Sequence, residues 1–233
     1  MKEKLLLLHG ALGSKNQFSE IKEQLKDYFE VYVLNFEGHG GSKTQKEFSI
    51  ELFTENVISF LESASFNKIN IFGYSMGGYV AINTALKAPQ KIKKIITLGT
   101  KFKWNIESAE REAKMLNPIK IEEKVPHFAE KLKQEHQPQD WKIIMEKTAK
   151  MMLNMGNGAK LADADFKKIN QTVIIGIGSL DNMVSYEESE YVSKLLPNSK
   201  LIKLNDVKHS IEKIAIDKLV DYIMKNLDFS TIH

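Results

Sequence analysis

The 233-residue chain contains no cysteine. This absence excludes a disulfide framework, a thiolate metal site and a cysteine nucleophile, and it favours a reducing compartment. Long apolar runs are also missing, because the run near the N-terminus covers only Leu5 to Leu8. Four residues are too few for a signal sequence or for a helix that spans a bilayer. We therefore predict a cytoplasmic protein without stable membrane insertion.

The chain lacks an excess of charge of one sign. Its 33 Lys and Arg residues are interleaved with 30 Asp and Glu residues, which leaves a net charge of +3. A nucleic-acid-binding protein is expected to segregate basic residues into a patch or stripe. We therefore expect no nucleic-acid partner. The length suits one compact domain with a substantial core.

Short apolar runs alternate with longer amphipathic stretches, a pattern typical of a mostly parallel sheet covered by helices. Strands are predicted at Lys4–Leu8, Val31–Asn35, Lys68–Phe72, Ile92–Leu98, Val173–Ile177 and Lys200–Leu204. Helices are predicted at about Asn16–Tyr28, Ser49–Ser63, Met76–Ala88, Tyr186–Leu196 and His209–Asn226. The pattern predicts the α/β class, with a three-layer α/β/α sandwich of about six strands.

The region from about 101 to 165 breaks this alternation. It has no strand pattern, and Pro118, Pro126 and Pro138 punctuate its charged helical segments. We interpret it as a helical lid inserted after the fourth strand, with residues 1–100 and 166–233 forming the core. The region also holds Met115, Met145, Met151, Met152 and Met155. Ordinary helix packing is the favoured role for these methionines, and lining of a substrate site is the alternative.

The most informative segment is Gly73-Tyr74-Ser75-Met76-Gly77, which lies between a predicted strand and a predicted helix. A serine in a sharp strand-to-helix turn presents its hydroxyl above the sheet edge, where it can act as a nucleophile. Larger residues at positions 73 and 77 would collide in such a turn. A simple helix N-cap serine is the competing interpretation.

This segment and two others resemble the α/β-hydrolase family, and the resemblance covers nearly the whole chain. The loop His9-Gly10-Ala11-Leu12-Gly13-Ser14 looks like the loop that follows the first parallel strand in that family. The resemblance implies that the backbone N–H groups of Ala11 and Met76 form an oxyanion hole. It also implies that His9 and Gly10 shape the loop. The turn Gly38-His39-Gly40 resembles a further family turn, in which His39 is structural.

The family order of serine, acid and histidine guides the search for the acid and the base. His209 follows the last predicted strand and is the candidate base; His127 and His136 fall in the proposed lid, and His233 is terminal. Asp181 follows an apolar run and resembles the family acid. Asp206, Asp163 and Asp165 are less suitable, because Asp206 lies only three residues before His209 and the other two precede the strand.

We therefore expect a serine hydrolase that cleaves a small carboxylic ester or related acyl substrate through an acyl-enzyme, with neither a metal nor an organic cofactor. Hydrolysis of a C–C bond, a thioester or a lactone, and perhydrolase activity, use the same triad. A non-catalytic ligand-binding protein of this fold is the alternative from another class. A lipase acting on membranes is disfavoured by the charged lid.

The chain also departs from the family pattern. Lys208 stands where relatives often have glycine before the base, although Glu212 retains a nearby acid. The first strand begins at residue 4, so the N-terminal hairpin common in the family is not expected. One sheet edge would then face solvent or a partner subunit, which makes a homodimer possible.

Overall fold

The computed structural model describes residues 2–227, and its centre is a sheet of six strands. These are β1 (Glu3–Leu8), β2 (Phe29–Leu34), β3 (Ile69–Tyr74), β4 (Ile92–Leu98), β5 (Thr172–Leu180) and β6 (Ser199–Lys208). The strand order is β2-β1-β3-β4-β5-β6, and each neighbouring pair is parallel. The predicted sheet of about six strands is confirmed, and within the described residues it is parallel throughout.

Helices cover both faces of the sheet. In chain order they are α1 (Ser19–Leu25), α2 (Ile50–Ser63), α3 (Met76–Lys87), α4 (Ile106–Met115), α5 (Pro118–Lys124), α6 (Pro126–His136), α7 (Trp141–Gly156), α8 (Asp163–Phe166), α9 (Tyr186–Leu195) and α10 (Ile216–Asn226). The consecutive leucines of β1 alternate between the two faces. Leu5 and Leu7 join the core beneath α1 and α10, whereas Leu6 and Leu8 join the core beneath α2 and α3. Burial on both sides explains the unbroken apolar run and gives the predicted three layers.

Two predicted helices begin later than expected. Residues Lys15–Phe18 form a 3₁₀ turn before α1, and Ile211–Lys213 form another before α10. The second prediction was wrong because Ile211 and Ile214 are buried from the turn, so their spacing requires no helix there. His209 therefore lies on the loop between β6 and the second 3₁₀ turn, before α10 begins.

The chain between β4 and β5 contains α4 to α8 and no strand, as predicted for this region. One small cluster, formed by Ala129, Leu132, Trp141 and Met145, joins α6 to α7. Other residues of α7, including Ile144 and Met151, extend the main core. The helical segment is thus packed onto the sheet domain. None of the helices in residues 2–227 combines the length and apolar character needed to cross a bilayer.

Candidate active site

Ser75 lies at the turn between β3 and α3, in the strained geometry that the sequence predicts. Its φ of 50° is in the left-handed region, which costs free energy for any residue except glycine. A Cβ at Gly73 would lie 2.5 Å from the backbone of Gly77, and a Cβ at Gly77 would lie 2.2 Å from the carbonyl oxygen of Leu8. Both glycines are therefore required by close packing. The Ser75 hydroxyl makes no N-cap hydrogen bond, which argues against the N-cap interpretation.

The Ser75 hydroxyl instead faces His209 and, through it, Asp181. Ser75 Oγ lies 3.4 Å from His209 Nε2, and His209 Nδ1 lies 2.8 Å from Asp181 Oδ2. A carboxylate only accepts hydrogen bonds, so the Nδ1–H of His209 donates to it and the Nε2 lone pair points at the hydroxyl. The side chains of His209 and Asp181 are largely buried. Ser75, His209 and Asp181 are far apart in the chain but form one continuous series of side-chain hydrogen bonds, which we call the Ser75 relay.

Asp181 is held in its ionised form. Burial alone would raise the pKa of its carboxyl group, but the hydrogen bond and charge of His209 and two backbone N–H groups bring the pKa below its usual value. Those N–H groups belong to Met183 and Val184, and each lies 2.9 Å from Oδ1. The backbone N–H groups of its own loop therefore hold Oδ1 of Asp181, and Oδ2 accepts the hydrogen bond from His209.

The other candidate acids and bases lie elsewhere. Asp163 accepts from Tyr191, and Asp165 accepts from Lys168 and from its own helix start. Asp206 is exposed, and its backbone N–H donates to Ser179. Among the histidines, His127 is exposed on α6, His136 is buried away from Ser75, and His233 lies outside the described residues. Only Asp181 and His209 of these candidates are hydrogen-bonded into the Ser75 relay.

The two residues predicted to form an oxyanion hole lie beside Ser75. Ala11 and Met76 both line the cavity into which Ser75 opens. The N–H of Met76 is the first of α3 and belongs to the group that has no acceptor within a helix. Ala11 precedes Leu12, whose φ of 58° turns the loop sharply. An oxyanion hole needs two backbone N–H donors near one developing negative charge, and this role for Ala11 and Met76 stays a prediction.

Three buried histidines lie behind this loop. The ring centroids of His9 and His39 are 5.1 Å apart, those of His39 and His136 are 5.8 Å apart, and all three side chains are inaccessible to solvent. His136 Nε2 donates to the Leu12 carbonyl at 3.0 Å, and its Nδ1 accepts from the Gly40 N–H at 3.1 Å. His136 therefore fastens α6 to the loop that carries Ala11. Within residues 2–227 no group of His, Cys, Asp or Glu side chains is arranged to hold a metal ion.

The buried histidines are neutral. Burial lowers the pKa of His9 to about 4, and it lowers the pKa values of His39 and His136 as well. His9 Nδ1 donates to the Gly10 carbonyl at 2.8 Å, and its Nε2 accepts from the Phe36 N–H at 3.2 Å. His9 thus ties its own loop to the loop after β2, as expected of a residue that orients the site.

Two further residues support the site without any local sequence signal. The hydroxyl of Tyr74 donates to the carbonyl oxygen of His209 at 3.0 Å. Gln17 accepts from the N–H of Gly10 at 3.3 Å and donates to Glu212 at 3.0 Å. These bonds connect the nucleophile strand, the loop after β1 and the histidine loop. Tyr74 and His209 are 135 residues apart, and Gln17 and Glu212 are 195 residues apart, so no local motif marks these contacts.

Two cavities meet at Ser75. The narrower one is lined mainly by apolar side chains. Its walls include Ile50, Tyr79, Trp104, Met151, Met152, Met155, Met183 and Val184, together with Lys101 and Glu112. The wider cleft extends along the histidine loop from Ser210 to Ile214 and along α6. All five methionines between β4 and β5 therefore line one of the two cavities: Met151, Met152 and Met155 line the narrower one, and Met115, Met145 and Met152 line the wider one.

Comparison with known proteins agrees with this architecture. Residues 4–141 match the family model described as alpha/beta hydrolase fold. A thermophilic esterase from Thermogutta terrifontis superposes with a TM-score of 0.78 at 19% identity, over 98% of this chain and 90% of that one. The pimeloyl-[acyl-carrier protein] methyl ester esterase of Vibrio campbellii is 28% identical over 73% of this chain and 59% of its own. Ethanol acetyltransferase 1 of Kluyveromyces marxianus is 31% identical over 38% of this chain, which spans 25% of that protein.

The family match covers more than half of the chain. The chain therefore belongs to the alpha/beta hydrolase fold family.

Proposed function

We propose that this protein is a serine hydrolase that cleaves small carboxylic esters through an acyl-enzyme. The observation that carries the proposal is the relay from Ser75 Oγ through the His209 ring to Asp181, with distances of 3.4 and 2.8 Å. A serine hydroxyl is a weak nucleophile at neutral pH until a base accepts its proton. His209 is oriented to do so, and ionised Asp181 stabilises the imidazolium that forms.

The reaction follows from these positions. Ser75 Oγ attacks the carbonyl carbon while His209 takes its proton, and the N–H groups of Ala11 and Met76 stabilise the resulting oxyanion. His209 then protonates the leaving alcohol, and the acyl-enzyme forms. Water activated by His209 attacks the acyl-enzyme and releases the carboxylic acid and free Ser75. No metal or organic cofactor is needed for these steps.

The two cavities suggest how a substrate lies. The leaving group must receive its proton from His209, and the residues that follow His209 line the wider cleft. We therefore place the leaving group in the wider cleft and the acyl chain in the narrower cavity. The limited size of the narrower cavity favours short acyl chains. Residues of α4 and α7 line this cavity, which supports the lid role proposed for residues 101–165.

Steady-state kinetics test the proposal directly. Wild-type protein is expected to hydrolyse p-nitrophenyl esters with acyl chains of two to eight carbons, with kcat/KM highest for the short chains. Ser75→Ala should lower turnover by at least about 10³-fold. Ser63→Ala provides the matched control, because Ser63 is exposed on α2 and its hydroxyl only bonds within that helix. Wild-type rates in Ser75→Ala would refute the proposal.

The same assay separates the related chemistries. Thioesters, lactones and substrates with a hydrolysable C–C bond are run beside the ester of matched acyl size. The proposal expects the oxygen ester to have the highest kcat/KM. A folded protein that binds these compounds and turns none of them over would support the non-catalytic, ligand-binding alternative.

Acyl transfer to an alcohol is a second candidate, favoured by the similarity to ethanol acetyltransferase 1 over 91 residues. An alcohol in the wider cleft could replace water in attacking the acyl-enzyme. Adding ethanol to the ester assay should then yield the ethyl ester, measured by gas chromatography. Free acid as the sole product at every ethanol concentration would exclude transfer.

Three further predictions concern the oligomeric state, the cellular location and nucleic-acid binding. A homodimer joined through the edge strand β2 is a proposal, which light scattering checks. A cytoplasmic location and the absence of a nucleic-acid partner likewise stay predictions from composition.

A further inference from the structure

Away from Ser75 and His209, the charged side chains among the described lining residues of the narrower cavity are Lys101 and Glu112. Lys101 follows β4 and is 11% exposed, whereas Glu112 lies on α4 and is 3% exposed. The Lys101 Nζ and Glu112 Oε1 atoms are 3.6 Å apart, which is too long for a hydrogen bond. The pair is therefore buried without the close contact that would offset its desolvation.

The other polar groups in this wall are already bonded. The hydroxyl of Tyr79 accepts from the Leu161 N–H at 2.8 Å, and Trp104 Nε1 donates to the Lys101 carbonyl at 3.1 Å. The Trp104 N–H is thereby used, whereas the Tyr79 hydroxyl still has its own O–H to donate. Among the described lining residues outside the Ser75 relay, the charged groups with unused hydrogen-bonding capacity are Lys101 and Glu112.

Lys101 has unused hydrogen-bond donors, whereas Glu112 has an unused hydrogen-bond acceptor. The ammonium of Lys101 has three N–H donors, and its one hydrogen bond in the described residues is a long one of 3.4 Å to the Met183 carbonyl. Glu112 Oε1 accepts from Arg111 at 3.2 Å, but Oε2 is buried without a hydrogen-bond partner. Partly satisfied buried polar groups cost free energy, so a ligand that completes them would bind favourably.

The surrounding charges narrow the chemistry of that ligand. A second carboxylate, Glu188, lies 3.8 Å from Lys101 Nζ, so the lysine already has two anionic neighbours. A further anion would meet both glutamates. A hydrocarbon chain would leave the N–H donors of Lys101 and the Oε2 atom of Glu112 without further hydrogen-bond partners. A hydroxyl group can accept from Lys101 and donate to Glu112 at once.

We propose that Lys101 and Glu112 are specificity-determining residues, and that the preferred substrate is an ester whose acyl chain carries a hydroxyl group. This inference rests on the proposed function, since it assigns the acyl chain to the narrower cavity. The hydroxyacyl chain extends from Ser75 between the methionines of α7, and its hydroxyl bonds to the ion pair.

The experiment compares p-nitrophenyl esters of hydroxyacyl chains, three to six carbons long, with alkyl esters that carry a methyl group in place of the hydroxyl. Wild-type protein should favour the hydroxyacyl ester at the best chain length by at least about tenfold in kcat/KM, because a site built for a hydroxyl rejects its apolar analogue. Esters with a terminal carboxylate should be poorer than both.

Substitutions test whether Lys101 and Glu112 cause the preference for hydroxyacyl esters. Lys101→Met and Glu112→Gln should each bring the ratio of kcat/KM for the hydroxyacyl ester to kcat/KM for the alkyl ester closer to one. Lys103→Met, which replaces the neighbouring exposed lysine, should keep the wild-type ratio. Because a lone buried charge can unfold a protein, the double variant Lys101→Met, Glu112→Met is included. Exchange of a buried pair for apolar residues often preserves stability, and this variant should prefer the alkyl ester.

The outcomes separate this inference from the proposed function. Hydrolysis of both ester series with a ratio below about two at every chain length would overturn the hydroxyacyl assignment and leave the esterase proposal standing. Retention of the wild-type ratio in the folded double variant would overturn it as well. Failure of wild-type protein to hydrolyse any ester would count against the proposed function instead.

Discussion

Histidine occurs in two contrasting regions of this molecule. His209 lies between a carboxylate and a serine hydroxyl at the meeting point of two cavities. His9, His39 and His136 lie in a buried cluster, where their hydrogen-bond partners are backbone groups. The imidazole group therefore contacts a serine hydroxyl and a carboxylate in one region, whereas it fastens loops in the other.

The difference lies in the partners and in access to solvent. The carboxylate of Asp181 can stabilise a positive charge on His209, whereas burial lowers the pKa values of the clustered histidines and keeps them neutral. A histidine in a motif is thus not evidence of catalysis by itself. The comparison predicts that changes at His209 affect the chemical step, whereas changes in the cluster affect stability first.

The largest effect is expected for His209→Ala. Without the base, turnover should fall by about 10⁴-fold or more, while the free energy of unfolding changes little. Activity assays and urea unfolding measure the two quantities. His127→Gln, which alters an exposed histidine on α6, is the control and should behave as wild type. Retained turnover in His209→Ala would contradict its assignment as the base.

Asp181→Asn should have the next largest effect. The amide can donate where the carboxylate only accepts, so it favours the wrong tautomer of His209 and no longer stabilises the imidazolium. We expect kcat to fall by about 10²- to 10⁴-fold with a small change in KM. Asp206→Asn, at the exposed candidate acid, should leave kcat unchanged. The reverse order of the two effects would contradict the assignment.

His136→Ala tests the buried cluster. It removes the partners of the Leu12 carbonyl and the Gly40 N–H, so the unfolding free energy should fall by about 2–4 kcal/mol. Because the Leu12 loop also carries Ala11, kcat should fall by about tenfold. His136→Gln retains an N–H that can reach Leu12 and should recover part of both losses. A loss of kcat as large as in His209→Ala would erase the distinction between the two regions.

The last expected effect is a loss of stability at acidic pH, without a loss specific to the chemical step. Histidine in the unfolded chain binds a proton near pH 6.5, whereas the clustered rings in the folded protein stay neutral to lower pH. The cluster's contribution is therefore complete above pH 6.5 and declines as the pH falls toward about 4. Urea unfolding between pH 7 and 5 should show this decline, with a shallower slope in His136→Gln. A flat profile would contradict buried, neutral rings.

The sheet could be predicted because its strands are buried on both faces and leave unbroken apolar runs, as in Leu5–Leu8. The relay residues could be identified because each follows a strand and parallel strands end at one edge of the sheet. The start of α10 was misplaced, since Ile211 is buried from a 3₁₀ turn with the same spacing. Apolar spacing alone does not distinguish these backbone forms.

The contacts of the inserted helices could not be predicted. His136 reaches Leu12 across 124 residues of chain, and Glu112 meets Lys101 only because α4 packs over the cavity. Such pairs depend on how whole helices dock, and no local pattern records that. The same reason explains why motifs indicate Ser75 as a candidate nucleophile, whereas no motif indicates which residues line the neighbouring cavities.

Covalent labelling shows whether Ser75 is the nucleophile. Wild-type protein is treated with a fluorophosphonate, digested and examined by mass spectrometry. We expect one phosphonylated residue, Ser75, with labelling lost in Ser75→Ala and strongly slowed in His209→Ala. A folded wild-type protein that remains unlabelled, or an adduct on another serine that persists in Ser75→Ala, would contradict this assignment.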